Sequence, residues 1–195
     1  MPAVMQRANE RNRHSVRLPD YDYSQPGAYF VTICTKDRRN LFGGVVNEEM
    51  CLSRFGGVVK ACWEDLPRHF AEVDVNEFVV MPNYIHGIVV LVDGMGTACS
   101  AHTTERYARP VTGSLPTIIR SFKSAATKRI NEIRRTPGQP VWQRNYYEHV
   151  VRTEEEMNRI REYIAGNPAT WHDDVENPAS EAFAKRRMTK TEAPK

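Results

Sequence analysis

Residues 78–91 read Phe78-Val79-Val80-Met81-Pro82-Asn83-Tyr84-Ile85-His86-Gly87-Ile88-Val89-Val90-Leu91, two apolar runs separated by a short polar break. Each run predicts a buried strand, and the break is long enough only for a tight reversal, so the two strands should pair antiparallel. Residues two apart in a strand point to the same face. The phenol of Tyr84 and the imidazole of His86 should therefore project together from an otherwise apolar sheet. A core strand does not need this polar pair, whereas a site that positions a metal or a phosphate does.

Further strands and helices are predicted on both sides of this pair. Strands are predicted at 28–35, 72–81, 86–92 and 141–152, and helices at 53–67, 114–134 and 153–166. Ser53 is a predicted helix N-cap, and Thr153-Glu154-Glu155-Glu156 fits a capping box. The stretches 36–44 and 93–112 are expected to be a basic turn and a loop. The order predicts an α+β fold of the ferredoxin-like split βαββαβ type, with helices on one face of an antiparallel sheet and an additional C-terminal helix.

The composition is that of a single globular domain. The chain has 195 residues, of which 41% are hydrophobic and 26% charged. No apolar run is long enough to span a bilayer, and the first residues lack the apolar core of a secretory signal. The four cysteines lack Cys-x-x-Cys spacing, which favours thiols in a reducing compartment over a zinc site. We expect a basic arm at 1–20, the domain at 21–175 and a polar, flexible tail at 176–195.

The net charge of +3 is small, but the cations are clustered at 1–17, 120–135 and 185–190. Such clusters suit phosphate backbones, although a solvated helix face or a solubilising tail has the same composition. For the tail we favour solubility, and for 120–135 we favour nucleic acid. Trp142, Tyr146 and Tyr147 could stack on unpaired bases or belong to the core.

The segment around His86 resembles the His-hydrophobic-His strand of single-tyrosine (HUH) transposases, with the first His replaced by Tyr84. In the branch called REP-associated tyrosine transposases the pattern is Met-Pro-Asn-His-hydrophobic-His-Gly, which the chain matches at 81–83 and 86–87. Further blocks that resemble this family lie at 26–35, 37–39, 41–43, 121–124, 141–149, 160–164 and 167–168. One block alone is a weak signal, but the ordered set is specific.

The resemblance implies that Tyr163 attacks a phosphodiester in single-stranded or hairpin DNA, leaving a 5′-phosphotyrosine and a free 3′-hydroxyl for strand transfer. It also implies that His86 and Asn167 bind Mg²⁺ or Mn²⁺ in a bacterial, cytoplasmic and nucleoid-associated protein, either a monomer or a homodimer. Without the resemblance, Tyr163 would be an amphipathic-helix tyrosine with a buried ring and Asn167 a helix cap.

Tyr84 is where the sequence departs from the family pattern. A neutral phenol is a poor ligand for these cations, so three interpretations stay open. Tyr84 could bind the metal as a phenolate, or His86, Asn167 and a DNA phosphate could hold it weakly. In the third interpretation the site is degenerate and the protein is a hairpin-DNA binder without cleavage.

The remaining candidate site residues are cations and one histidine. His149 is a candidate for an auxiliary role or a structural residue at a strand end. The cations expected to contact DNA phosphates are Arg38, Arg39, Arg120, Lys123, Lys128, Arg129 and Arg144.

Overall fold

The computed structural model describes residues 21–93, 111, 113–181 and 183–184. The elements in chain order are β1 (Gly27–Cys34), β2 (Gly43–Val46), β3 (Glu49–Leu52), α1 (Arg54–Glu64), α2 (Leu66–His69), β4 (Val73–Val80), β5 (Tyr84–Leu91), α3 (Leu115–Arg134), β6 (Tyr147–Val151) and α4 (Glu154–Ala165), with 3-10 helices at Lys36–Arg38 and Pro168–Asp173. The expected basic arm and the cations at 185–190 lie outside the described residues. Within them, no helix is both long and apolar enough to cross a membrane.

The main sheet has the strand order β4-β5-β1-β6, and all its neighbours pair antiparallel. This order confirms the predicted ferredoxin-like α+β fold. Strands β4 and β5 are joined by the short break at 81–83, as the sequence predicted. Strand β5 begins at Tyr84 rather than at His86, so both polar side chains belong to one regular strand.

The sheet carries a separate apolar cluster on each face, because successive side chains of a strand point to opposite sides. On one face, α1 and α3 cover the larger cluster, which includes Val31, Ile85, Trp63 and Phe122. On the other face α4 packs through a smaller cluster, formed by Phe30, Ile88, Val151, Ile160 and Ile164. The C-terminal helix therefore lies on the face opposite the other two long helices.

Two of the three predicted helix starts are capped by their own side chains. The Ser53 hydroxyl accepts the N–H of Gly56 at 3.2 Å, and the Thr153 hydroxyl accepts that of Glu156 at 3.1 Å. Ser114 precedes α3 without such a cap, since its hydroxyl donates to the carbonyl of Val111 at 2.8 Å.

Two stretches differ from the prediction. The expected turn at 36–44 is followed by the hairpin β2–β3, whose turn residues Asn47 and Glu48 have φ of 51° and 64°. The expected strand at 141–152 is regular only at Tyr147–Val151. In its first half the Lys123 ammonium donates to the carbonyls of Gln143 and Arg144, which a neighbouring strand would otherwise have to satisfy.

Candidate active site

Strand β5 and helix α4 bring His86 and Tyr163 together. In the sheet His86 pairs with Thr32 of β1, and its side chain lies on the face that α4 covers. Tyr163 approaches from α4 and places its hydroxyl 3.3 Å from His86 Nε2. The ring of Tyr84 lies 4.4 Å from the His86 ring, centroid to centroid. The two polar side chains of β5 therefore share a face, as the strand period predicted, and Tyr163 lies on that same face.

His86 is a neutral imidazole in this environment. Only 5% of the residue is exposed, and burial lowers the pKa of His86 to about 3. Its Nδ1 lies 2.8 Å from the Thr32 hydroxyl oxygen. When Nδ1 carries the hydrogen and donates it to Thr32, the lone pair of Nε2 faces Tyr163. In that tautomer, Nε2 accepts a hydrogen bond from the Tyr163 hydroxyl.

Tyr163 is a protonated phenol at neutral pH. Burial raises the pKa of Tyr163 to about 12, with a further contribution from the Asp174 carboxylate, and the Asn167 amide opposes the shift. Its ring meets Phe30 edge-on, with the centroids 6.3 Å apart. The phenol is thus held in place but has to lose its proton before it can act as a nucleophile.

Tyr84 is fully buried and cannot easily become a phenolate. Its ring packs between His86 and Trp171, and its hydroxyl oxygen lies 2.7 Å from Asp174 Oδ2 and also contacts Asn167 Oδ1. Burial first, and then the Asp174 carboxylate, raise the pKa of Tyr84 well above its ordinary value. Tyr84 is therefore a hydrogen-bond donor.

Asp174 is a site residue that the sequence analysis did not single out. Its Oδ1 accepts the backbone N–H of Glu176 at 2.6 Å, while Oδ2 accepts the hydroxyl of Tyr84. The contact with Tyr84 joins residues 90 positions apart. The only signal in the sequence is a pair of aspartates shortly after the matched Asn167.

Residues 167–180, here called the closing segment, cover this end of the site. Asn83 is 1% exposed, and its Nδ2 donates to the carbonyls of Arg38 at 3.1 Å and Glu176 at 2.7 Å. The side chains of Arg38 and Glu176 form an ion pair. Asn177 and Ser180 are buried, so this part of the expected tail packs against the domain.

The expected DNA-contacting cations lie on two different surfaces. Arg38 and the exposed Arg39 belong to the turn after β1, next to the closing segment. The remaining predicted cations lie on or next to α3, across the sheet from Tyr163: Arg120, Lys123, Lys128, Arg129 and Arg144.

Two of the α3 cations have partners within the protein. Lys123 donates to Gln143 and Arg144 carbonyls at 2.6 and 3.2 Å, and burial lowers the pKa of Lys123 to about 8. Arg129 contacts Cys62 Sγ at 3.4 Å and pairs with Asp65 at 3.8 Å. Arg120 and Lys128 are exposed.

The aromatic candidates and His149 are also divided between the two faces of the sheet. Trp142 is 7% exposed, packs on Phe42 and Phe122, and donates its indole N–H to the Lys123 carbonyl at 3.1 Å. It is a core residue and not a platform for bases. Tyr146 also packs against that core, while Tyr147 packs on the α4 side of the sheet. His149 Nε2 lies 2.8 Å from Glu156 Oε1, a tie between β6 and α4.

The residues around Tyr163 fit a divalent cation only in part. The described residues contain no group of three or more His, Cys, Asp or Glu side chains suited to a metal. Tyr84 fits poorly, because its hydroxyl donates to Asp174 and a neutral phenol is a weak ligand for these cations. His86 fits through Nε2. Asn167 fits through its amide oxygen when the amide is turned so that the oxygen takes the place of Nδ2, which is buried and has no hydrogen-bond partner.

Comparison with known proteins finds a relative that is similar in sequence and a solved structure that is similar in fold. No family model matches the chain. A protein of Haemophilus influenzae, described as uncharacterized, is 38% identical over 174 residues, which cover 86% of this chain and 94% of that protein. The solved structure of a REP-associated tyrosine transposase bound to a REP hairpin superposes with a TM-score of 0.55 and 19% identity, over 89% of this chain and 86% of the other. The similarity between the two structures shows a common fold.

Proposed function

We propose that this chain, which belongs to the same family as the uncharacterized Haemophilus influenzae protein, cleaves and rejoins single-stranded or hairpin DNA through a phosphotyrosine at Tyr163. The observation that carries the proposal is the 3.3 Å contact between the Tyr163 hydroxyl and Nε2 of a buried, neutral His86. A core tyrosine does not need a buried imidazole as its acceptor. A nucleophile does need a group that holds its hydroxyl in one direction.

In the proposed reaction the Tyr163 oxygen attacks phosphorus and the bond from phosphorus to the 3′-oxygen breaks. The phenol loses its proton, the 3′-oxygen takes one up, and the 5′-phosphate stays on Tyr163. Attack by the 3′-hydroxyl of another strand reverses the step and joins the two strands. His86 orients the phenol through Nε2, and Thr32 holds the His86 ring through Nδ1. With a pKa of about 3, His86 is too weak a base to retain the phenol proton.

Other groups would bind the DNA and neutralise charge. A divalent cation, Mg²⁺ or Mn²⁺, held at His86 and Asn167, would polarise the scissile phosphate and offset the charge that develops on it. Arg38 and Arg39 lie on the turn beside the closing segment, where backbone phosphates would pass. The transposase with the same fold is bound to a REP hairpin, and we propose a DNA hairpin with a single-stranded flank as the partner of this chain.

The test is covalent trapping on a denaturing gel. Labelled hairpin oligonucleotides with randomised single-stranded flanks are incubated with the protein and Mn²⁺, and protein–DNA adducts are separated. Tyr163→Phe should abolish the adduct while DNA affinity stays within about twofold, because the ring, the helix and the cations are kept. Tyr147→Phe, a change on the same face of the sheet, is the control and should still form the adduct. An adduct with Tyr163→Phe would place the nucleophile elsewhere.

A hairpin-DNA-binding protein without cleavage is the second candidate. It is favoured by Tyr84, whose buried hydroxyl replaces an imidazole ligand with a hydrogen-bond donor. The same gel separates the candidates, since a pure binder shifts DNA on a native gel and leaves no adduct after denaturation. In that case Tyr84→His is the variant to examine for recovered cleavage.

A further inference from the structure

We infer that Arg161 and Asn76 form a positioning pair, which sets the rotation of α4 about its axis and thereby the distance between the Tyr163 hydroxyl and His86. The inference rests on the proposed function, because it concerns how the proposed nucleophile is aimed. The pair acts through the helix that carries Tyr163, and not at the reacting atoms.

The first observation is an irregularity in β4, the edge strand that neighbours β5. The register of β4 against β5 shifts between Val75 and Phe78. Within this bulge, Asn76 and Glu77 together lie opposite the single residue Ile88, which belongs to the apolar cluster under α4. A bulge of this kind changes the direction of a side chain. Here the side chain of Asn76 is directed to α4.

Asn76 meets the side chain of Arg161 on α4. Its Oδ1 accepts the Nε–H of Arg161 at 2.8 Å, a contact between residues 85 positions apart. The guanidinium is oriented by α4 itself, since one terminal nitrogen donates to Glu154 Oε1 at 3.0 Å and to Asn158 Oδ1 at 2.8 Å. These acceptors lie seven and three residues earlier, on the same side of the helix. Because the guanidinium is planar and rigid, its bonds to α4 also direct the Nε–H towards the sheet.

The place of Arg161 on the helix determines what this contact controls. Successive residues of a helix are about 100° apart, so Arg161 and Tyr163 project from opposite flanks of α4. Between them, the buried Ile160 and Ile164 face the sheet. Apolar packing is non-directional, whereas the hydrogen bond made by Arg161 has a direction. Holding one flank of α4 against β4 therefore fixes the height of the other flank, where the Tyr163 hydroxyl lies 3.3 Å from His86 Nε2.

The expected consequence is a loss of reactivity without a loss of binding. A reacting group that is displaced by about 1 Å can lose about a hundredfold in rate. Removing the acceptor on Asn76 changes no charge and leaves the ring of Tyr163 in place. This separation of rate from affinity distinguishes a positioning pair from a contact that only adds stability or holds a phosphate.

The experiment measures the single-turnover rate of adduct formation at saturating hairpin DNA with Mn²⁺, and the DNA affinity in parallel. Asn76→Leu keeps the size of the side chain and removes the acceptor. It should slow adduct formation at least about tenfold, while DNA affinity stays within about twofold. Arg161→Met should slow the reaction by a similar factor, and the double variant should be no slower than either single variant. Asn76→Asp keeps an acceptor for Arg161 and should stay within about threefold of the unmodified chain.

Arg159→Met is the matched control. Arg159 is an exposed arginine of the same helix, and its Nε donates to the Glu155 carbonyl within α4. This variant removes the same charge and should change the rate by less than about twofold. Should Asn76→Leu fail to fold, Asn76→Ser takes its place, because a serine hydroxyl is too short to reach Arg161.

A second measurement needs no cleavage. In metal-free protein, the nitrogen nuclear magnetic resonance signal of His86 Nε2 reports whether this atom accepts a hydrogen bond from Tyr163. The signal should move in Asn76→Leu and in Arg161→Met, and it should stay in place in Asn76→Asp and in Arg159→Met. If the unmodified chain forms no adduct, the proposed cleavage is contradicted, and this signal alone decides whether the pair positions Tyr163.

Three results would overturn the inference. The first is an Asn76→Leu variant with the rate and the His86 signal of the unmodified chain. The second is slowing in Asn76→Asp that equals that in Asn76→Leu, or slowing that adds up in the double variant. The third is an Arg161→Met variant whose DNA affinity falls by the same factor as its rate, which would assign Arg161 to a phosphate contact.

Discussion

Gly87 separates the two faces of β5 at the level of a single residue. A Cβ on Gly87 would lie 2.5 Å from Trp63 Cζ2, far inside van der Waals contact. Its neighbour His86 points the other way, towards Tyr163. Because Gly87 has no side chain, strand β5 packs directly against the Trp63 ring. This contact fixes the position of His86 on the opposite face of the sheet.

Gly87→Ala should lower the free energy of unfolding by about 1–3 kcal/mol, because the added methyl group overpacks a rigid aromatic ring. The matched control is Gly57→Ala, at an exposed position of α1 where a Cβ meets nothing within 4 Å. That change should raise the free energy of unfolding by up to about 1 kcal/mol, because glycine is a poor helix former. Urea denaturation of both variants measures the difference, and equal effects would contradict the assigned packing.

His86 should make the fold sensitive to acid. Its folded pKa of about 3 lies below the ordinary value of about 6.5, so the unfolded chain binds a proton that the folded chain cannot. The free energy of unfolding should therefore fall as the pH drops from 6.5 towards 3, with His86 contributing up to about 1.4 kcal/mol per pH unit.

His86→Gln should remove this contribution from the pH dependence. The measurement is a series of urea denaturations between pH 4 and 7, with His172→Gln, a change at an exposed histidine, as the control. Should His86→Gln and the unmodified chain have the same slope, His86 would have to be accessible to protons in the folded state.

At the scale of elements, Asn83 in the break between β4 and β5 ties the closing segment to the turn after β1. Its side-chain nitrogen donates to two carbonyls, one in the turn after β1 and one in the closing segment. Asn83→Asp keeps the shape but places a carboxylate against both carbonyl oxygens. This variant should lose at least about 2 kcal/mol of stability, because it replaces two buried hydrogen bonds with repulsion.

The loss should be measured by urea denaturation, with Asn145→Asp as the isosteric control, since Asn145 is exposed. The closing segment should also become more sensitive to proteolysis in Asn83→Asp, as its anchor is lost. Unchanged stability and cleavage would show that Asn83 does not hold the segment.

Helix α3 yields a separate prediction, because its cations lie across the sheet from Tyr163. Lys123 and Arg129 already have partners, whereas Arg120 and Lys128 are exposed. Replacing Arg120 and Lys128 together with Ala should reduce the salt dependence of hairpin binding by up to about two units if each contacts a phosphate. Arg38→Ala with Arg39→Ala tests the other surface. The pair that leaves the salt slope unchanged lies outside the DNA-binding surface.

The sequence predicts this fold well because most of its signals are local. Strand period, capping residues and the break at 82–83 each depend on a few neighbouring residues. The hairpin β2–β3 was missed because its turn uses Asn47-Glu48, and Glu rarely adopts a positive φ. Asp174 was missed for a different reason. Its role depends on a contact across 90 positions, which no local pattern records.

At the scale of the whole molecule, the two faces of the sheet have different roles. The larger cluster under α1 and α3 contains most of the fully buried side chains, and so most of the stability. The smaller cluster under α4 positions Tyr163. The free energy of unfolding should therefore depend mainly on the first face and adduct formation mainly on the second.

The long-range contacts of the closing segment can form only late in the synthesis of the chain. The ribosome synthesises the turn after β1 and strand β5 first, and it adds Asp174 and Glu176 only some 90 positions after β5 begins. An unfinished chain thus contains His86 but not the carboxylate and the anchor that complete its surroundings. Under the proposed function, this order of synthesis would keep an unfinished chain from acting on DNA before the closing segment is in place.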